Sequence, residues 1–188
     1  MSLFIVGLFK KVVIADSFII TISNGFSHAE QLTLVSGWVA ALSFFFQMYY
    51  DFSGYSDMAV GAAKMMNIDI PINFNSPFHA RNLIEFWSRW HISLTSTITA
   101  YIYTPLVMSF KKVTLAKSMM ATFVTMVIIG IWHGAGWTYV VFGAVHGIAL
   151  GINTVWKRCK LPMPRSLSHA LTLLFVMVTC VLFRATSL

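Results

Sequence analysis

Charge is scarce in this sequence. Asp and Glu together number 6 and Lys and Arg 13, and the four types make up only 10% of 188 residues. A soluble domain carries about 25% charged residues, so this chain cannot cover its own surface with polar groups. With 57% hydrophobic residues and a mean hydropathy of +0.75 it reads as an integral membrane protein. Cysteine is nearly absent too. Cys159 and Cys180 have no spacing that suits a redox pair or a metal site. Nucleophile elbow, phosphate loop and dinucleotide fingerprint are all missing. Gly130, Gly134 and Gly136 follow an apolar run rather than a strand. No internal repeat and no low-complexity linker divides the chain.

The excess of basic residues does not point to nucleic acid, which would need them clustered on a polar face. They fall instead in short gaps between apolar runs: Lys10-Lys11, Lys111-Lys112-Lys117, and Lys157-Arg158-Lys160-Arg165. Positive residues flanking membrane segments have this pattern. The order of a cleavable signal peptide is absent, because apolar Leu3-Phe9 precedes Lys10-Lys11. Eight or so apolar residues do not cross a bilayer, which takes about 20. That start and the abrupt end, Arg184-Ala185-Thr186-Ser187-Leu188, lead us to expect a fragment of a longer protein.

Hydrophobic patterning suggests an all-α, polytopic bundle with short interfacial or re-entrant helices. Residues 12–27 are apolar but interrupted, suiting a short or interfacial helix. Residues 32–50 suit a span that ends in Tyr49-Tyr50, and residues 51–66, with Asp51 and Asp57, suit a helix facing other protein. Two prolines and two asparagines make 67–82 a loop. Residues 83–95 carry polar and apolar groups at helical spacing, as in an amphipathic helix at an interface or lining a cavity. Residues 98–110 are apolar with Pro105 as a kink. The segments 118–132 and 137–155 flank a glycine-rich break, and 168–183 is the last apolar segment. If 118–132 enters from the Lys111–Lys117 side, the pair forms a hairpin that returns to basic residues and leaves His133 deep in the membrane.

His133 is the first candidate for chemistry. It sits in Gly130-Ile131-Trp132-His133-Gly134-Ala135-Gly136-Trp137 between two apolar runs, and an ionisable group at membrane depth marks a candidate functional site. A neutral imidazole can take a proton from a hydroxyl nucleophile at neutral pH; the alternative is a hydrogen-bonded histidine that packs helices. His91 also follows a tryptophan beside an apolar helix. His146 lies 13 residues after His133, either lining the same cavity or satisfied in the core. Asp51 and Asp57 are six apart, about 600° around a helix, so they form no acid pair. Asp51 and Tyr55 either border a substrate passage or pair with neighbours inside the bundle. The spacings among His79, His91, His133 and His146 make no chelating motif, and no metal is expected. A transporter segment using His133 and His91 as a proton relay is the non-enzymatic alternative, although the sequence lacks an inverted repeat.

Several ordered blocks carry a family resemblance. Tyr50-Asp51-Phe52-Ser53-Gly54-Tyr55-Ser56-Asp57-Met58-Ala59 is one. Others are Phe74-Asn75-Ser76-Pro77-Phe78 and Phe86-Trp87-Ser88-Arg89-Trp90-His91-Ile92-Ser93-Leu94. The last are Ile131-Trp132-His133-Gly134-Ala135-Gly136-Trp137 and Gly143-Ala144-Val145-His146-Gly147. Together these resemble the membrane-bound O-acyltransferase (MBOAT) family. The early Gly7-Leu8-Phe9-Lys10-Lys11-Val12-Val13-Ile14-Ala15-Asp16 is similar to its alginate O-acetyltransferase subfamily. The stretch Ser96–Leu106 lacks the Arg-Asp pair that many of that subfamily carry, as in a divergent branch.

The resemblance implies a single membrane domain over residues 1–188 in a multi-pass protein of the bacterial inner membrane. It implies transfer of an acyl group, acetyl above all, from a thioester donor (acetyl-CoA or an acyl carrier) toward hydroxyls of an exported polysaccharide. Acyl or D-alanyl transfer to another envelope polymer, a lipid or a protein is the alternative. His133 matches the family's intramembrane histidine and His91 its second one. Trp132, Trp137, Arg89, Asp51, Tyr55, His146 and Asn75 fall where they would line or support the tunnel. Implied partners are the bilayer, the acyl donor, a periplasmic acyl-transfer protein and the polysaccharide acceptor; no bound cofactor and no nucleic acid are implied.

Overall fold

The computed structural model describes residues 1–185, so Thr186, Ser187 and Leu188 of the abrupt end lie outside the described residues. The described chain is helical, without strands, and divides into two compact units, Met1–Asn75 and Ser76 onward.

In the first unit, α1 (Ser2–Phe9) continues through a π-helical turn (Lys10–Ala15) and a 3-10 turn (Asp16–Phe18) into α2 (Ile19–Ser27). Helix α3 (Leu34–Met65) follows, its start fixed by the Thr33 hydroxyl, which accepts from the Ser36 N–H at 3.2 Å. Sequence patterning suggests a span over 32–50 and a separate helix over 51–66. The structure joins them into one helix of 32 residues, about 48 Å long, because no proline or glycine-rich break separates Tyr50 from Asp51. Helices α1 and α3 run antiparallel, Phe4 lying opposite Gly61 and Gly7 opposite Gly54. A Cβ on Gly7 would come within 2.6 Å of the Gly54 carbonyl oxygen, and one on Gly61 within 2.7 Å of the Phe4 nitrogen. Glycine is what allows backbones to touch there. Lys10 and Lys11, which look like membrane-flanking charges in the sequence, reach across this crossing. Lys10 pairs with Asp57 at 2.6 Å and Lys11 with Asp51.

In the second unit, a 3-10 turn (Pro77–His79) leads to α4 (Leu83–Arg89) and α5 (Ile92–Ile98), a π-helical turn (Thr99–Tyr103) and α6 (Thr104–Met108). The long helices α7 (Leu115–His133), α8 (Trp137–Arg158) and α9 (Arg165–Arg184) complete it. These three are long and apolar enough to cross a membrane. Helix α7 has 19 residues, about 28 Å, close to the hydrocarbon thickness of about 30 Å. It extends past the apolar run because Thr114 caps it, accepting from the Lys117 N–H at 3.3 Å. Helix α3 is not among the three; Gln47, Tyr49, Tyr50 and Asp51 dilute its apolar half.

Helices α7 and α8 form a hairpin that closes to backbone contact. A Cβ on Gly147 would sit 2.9 Å from Phe123 Cα, one on Gly143 2.9 Å from Val127 Cα, and one on Gly130 3.3 Å from Gly143 Cα. Gly143, Gly147 and Gly151 recur every fourth residue and so share one face of α8. This small-residue ladder is a membrane helix-packing device. Replacing Gly147 with Leu is therefore expected to destabilise the hairpin by about 1–3 kcal/mol. The readout is a lower Tm of the full-length protein in detergent. A Cβ at Gly37 in α3 would meet nothing within 4 Å, and Gly37→Ala should leave Tm unchanged or raise it, by up to about 1 kcal/mol of stability.

Candidate active site

The second unit holds His91, His133 and His146. The sequence pattern over 83–95 suggests one amphipathic helix, but the structure breaks it at Trp90 and His91. Helix α4 starts with a capping arrangement: the Asn82 side chain accepts from the Glu85 N–H at 3.0 Å, and the Glu85 carboxylate accepts from the Arg81 N–H at 2.9 Å. It ends at Trp90, which is extended (φ −107°, ψ 127°), and His91 then takes up a left-handed conformation (φ 46°, ψ 54°) as the first residue before α5. Left-handed backbone is uncommon for residues other than glycine and is found at functional sites. Local spacing carries no sign of it, because Trp90 and His91 have no proline or glycine signal. Trp90 stacks on Phe86 (5.6 Å, 18°) and anchors the joint.

His133 is the last residue of α7 and half-buried, its ring 5.0 Å from those of Trp132 and Phe183. The chain turns at Gly134, which is extended (φ 170°) and needs glycine for space: a Cβ there would be 2.5 Å from the Tyr139 ring. His91 and His133 lie within electrostatic reach of one another. Burial, and then the neighbouring His133, push the His91 pKa down to about 4, so His91 is uncharged at neutral pH.

His146 is fully buried. Trp87 Nε1–H donates to His146 Nδ1 at 3.3 Å, and His146 Nε2 lies 2.9 Å from Thr179 Oγ1. Indole N–H is a donor only, which fixes the neutral tautomer with its proton on Nε2, donating to Thr179. Thr179 in turn donates to the α9 backbone, at Phe175 (2.9 Å) or Val176 (3.0 Å). Phe142 lies 4.2 Å from the His146 ring and 4.4 Å from Phe183, so an aromatic layer joins His146 to His133. Trp87, Phe142, Thr179 and Phe183 are site residues that sequence reasoning did not single out. Trp87 sits inside a family block, but Thr179 and Phe183 lie in an apolar run without any local signal.

Two helical stripes face each other in the second unit. Thr95, Ile98, Thr99 and Tyr103 face Thr122, Thr125, Met126 and Ile129 across a cavity of about 200 Å³, with Trp87 on its wall. His91 lies immediately before α5, and His133 is the last residue of α7. The Tyr103 hydroxyl and Ser118 Oγ are hydrogen-bonded at 3.0 Å. A groove along Ser88, Ile92, Ser96 and Thr104 shares Trp87, Thr95 and Thr99 with this cavity. The lining combines apolar walls with several hydroxyls, as suits a small polar chain in an apolar setting.

The remaining candidates fall as follows. Trp132 and Trp137 are mostly exposed, at 61% and 75%. Arg89 is bound to Glu85 through Nε at 3.2 Å and Nη2 at 2.9 Å. The Arg81 N–H bond and then Arg89 hold the Glu85 carboxyl below its usual range. Asp51, Tyr55 and Asn75 belong to the first unit, where Asp51 is paired with Lys11 and Tyr55 is exposed. Among the described residues no group of three or more His, Cys, Asp or Glu side chains gathers as a metal site would require.

The family model of membrane-bound O-acyltransferases matches residues 1–188. The chain belongs to the membrane-bound O-acyltransferase family. It is 41% identical to a peptidoglycan O-acetyltransferase of Helicobacter pylori over 99% of this chain and 36% of that protein. It is 38% identical to a probable alginate O-acetylase, AlgI, of Azotobacter vinelandii over 98% of this chain and 37% of that protein. A teichoic acid D-alanyltransferase of Streptococcus thermophilus is 38% identical over 61% of this chain and 29% of its own length. The chain thus spans a little over a third of the first two relatives. As an MBOAT chain with three helices fit to cross a bilayer, it is a multi-pass membrane protein.

The histidines give two tests. With a folded-state pKa of about 4 against about 6.5 unfolded, the unfolded chain binds the extra proton between these values. Stability should therefore be full above pH 6.5 and fall as pH drops toward 4. A His91→Asn variant, which tolerates the left-handed backbone, should flatten that slope in Tm measured from pH 4 to 7. Thr179→Val removes the acceptor for His146 Nε2–H inside the core, and should destabilise by about 1–3 kcal/mol, seen as a lower Tm at every pH.

Proposed function

We propose that residues 1–188 form one domain of a membrane O-acyltransferase, with His133 as general base and His91 as its partner. The observation that supports this reading is that His91, in left-handed backbone just before α5, and His133, the last residue of α7, come within electrostatic reach of each other. His133 takes the proton of an acceptor hydroxyl, whose oxygen attacks the thioester carbonyl; the carbon–sulfur bond breaks and the thiol leaves with a proton. His91, neutral at pH 7, donates a ring N–H toward the developing oxyanion. Apolar walls keep water away from the thioester. Arg89, Trp132, Trp137 and His146 of the second unit support the passage.

The acyl group is acetyl and its donor is acetyl-CoA or an acyl carrier. The acceptor is an exported envelope polysaccharide, reached from the bacterial inner membrane through a periplasmic acyl-transfer protein. The O-acetyl-transferring relatives match along nearly the whole chain, whereas the D-alanyl-transferring one matches along 61%; that difference favours acetyl over D-alanyl.

The test uses full-length protein in cells, at matched membrane abundance. Envelope polysaccharides of wild type should carry base-labile acetyl esters, and His133→Ala should lower them at least about 100-fold, the scale of a lost general base. Esters at wild-type level in His133→Ala would refute the assignment. D-alanyl esters in place of acetyl would move the function to the alternative acyl group.

A further inference from the structure

The hairpin of α7 and α8 carries a second groove, apart from the cavity between α5 and α7. Its volume is about 500 Å³, and Met119, Phe123, Ile148, Ile152, Trp156 and Leu161 form its walls with hardly a polar atom. The glycine seam is its floor: Gly147 and Gly151 remove side chains that would fill it. Ile148 and Ile152 are 56% and 62% exposed. The groove runs toward the basic end of the hairpin, where Trp156 Nε1–H donates to the Leu161 carbonyl at 3.1 Å and ties the connection to α9 over that end.

Charge makes this end unusual. Lys157 and Arg158 directly follow Trp156, Lys160 directly precedes Leu161, and all three are exposed. Lys117 lies two residues before Met119, with its ammonium 5.3 Å from the centre of the Phe110 ring. No Asp or Glu follows Glu85 in the sequence, and Glu85 is bound to Arg89. The second unit therefore has no carboxylate side chain of its own to pair with these cations. An apolar slot on two helices long enough to cross a membrane, edged by a tryptophan and followed by cations with no spare carboxylate in their own unit, matches a lipid whose tail is apolar and whose head is negative.

We propose that this groove binds an anionic glycerophospholipid, one acyl chain along Phe123, Ile148 and Ile152 and the phosphate among Lys157, Arg158 and Lys160. Basic pockets between membrane helices recognise anionic headgroups in this way. A zwitterionic lipid with the same chains would fill the groove equally well and gain nothing net from the cations.

The test uses the full-length protein in neutral detergent, titrated with phosphatidylglycerol or phosphatidylcholine of identical chains and followed by Tm and by native mass spectrometry of retained lipid. Phosphatidylglycerol should bind about tenfold tighter than phosphatidylcholine. The K157Q/R158Q/K160Q variant should bring it down to the phosphatidylcholine level. Ile152→Trp, which fills the slot from an exposed position, should weaken both lipids while keeping the helical content of wild type. If Ile152→Trp fails to fold, Ile148→Trp is the substitute. Equal binding of the two lipids by wild type overturns the proposal, as does a preference that survives the triple substitution. Another helix of the protein lying in the groove would show as insensitivity to both lipids and to the tryptophan variant, and that too overturns it.

Discussion

The second unit depends on the backbone contact between α7 and α8. Gly130, Gly143 and Gly147 carry no side chains where the two helices meet, so α7 lies against α8 along its length. In an apolar setting little hydrophobic force brings helices together, and close van der Waals packing takes its place. The position of His133 follows from that seam. As the final residue of α7 it is carried to the turn, where Tyr139 of α8 occupies the space over Gly134 and Phe183 of α9 packs on its ring. The neighbouring face of α7, with Thr122, Thr125 and Ile129, meets α5 and the π-helical turn, where the hydroxyl-lined cavity forms.

A second constraint is that buried polar groups must be satisfied. His146 meets it through a chain from Trp87 through the imidazole to Thr179 and the α9 backbone. This ties α4, α8 and α9 together with directional bonds in a core otherwise made of aromatic and aliphatic contacts. It also separates two kinds of histidine. His146 has both nitrogens engaged and no exposure, whereas His133 is half-buried and its near neighbours are aromatic rings.

Much of the fold is legible in the sequence because hydrophobic runs and caps are local signals. The hairpin over 118–155 and the last apolar helix stand close to their sequence boundaries, shifted by caps such as Thr114. The broken helix at Trp90 and His91 is not legible, because neither residue carries the proline or glycine signal that marks a helix end. The join of 32–50 with 51–66 into α3 escapes the pattern because the polar residues after Tyr50 suggest a boundary that helical geometry does not need. Lys10 and Lys11 look like flanking charges because their partners, Asp57 and Asp51, lie 40 and more residues away. The glycine ladder of α8 is visible as Gly143, Gly147 and Gly151 at spacing four. Its meaning as a packing seam emerges only once α7 is opposite it. At the candidate site, motif blocks point to His91 and His133, while Thr179 and Phe183 are silent because neither contact is local in sequence.

Whether His91 and His133 act as one site is tested most directly by a double-mutant cycle on acyl-transfer rate in the full-length enzyme. The variants are His91→Ala, His133→Ala and the double substitution, at equal abundance. Residues acting as a unit are strongly non-additive. A shared site predicts that each single variant loses most of the rate and that the double variant is no slower than His133→Ala alone. Losses that multiply in the double variant would mean two independent roles and would contradict a shared site.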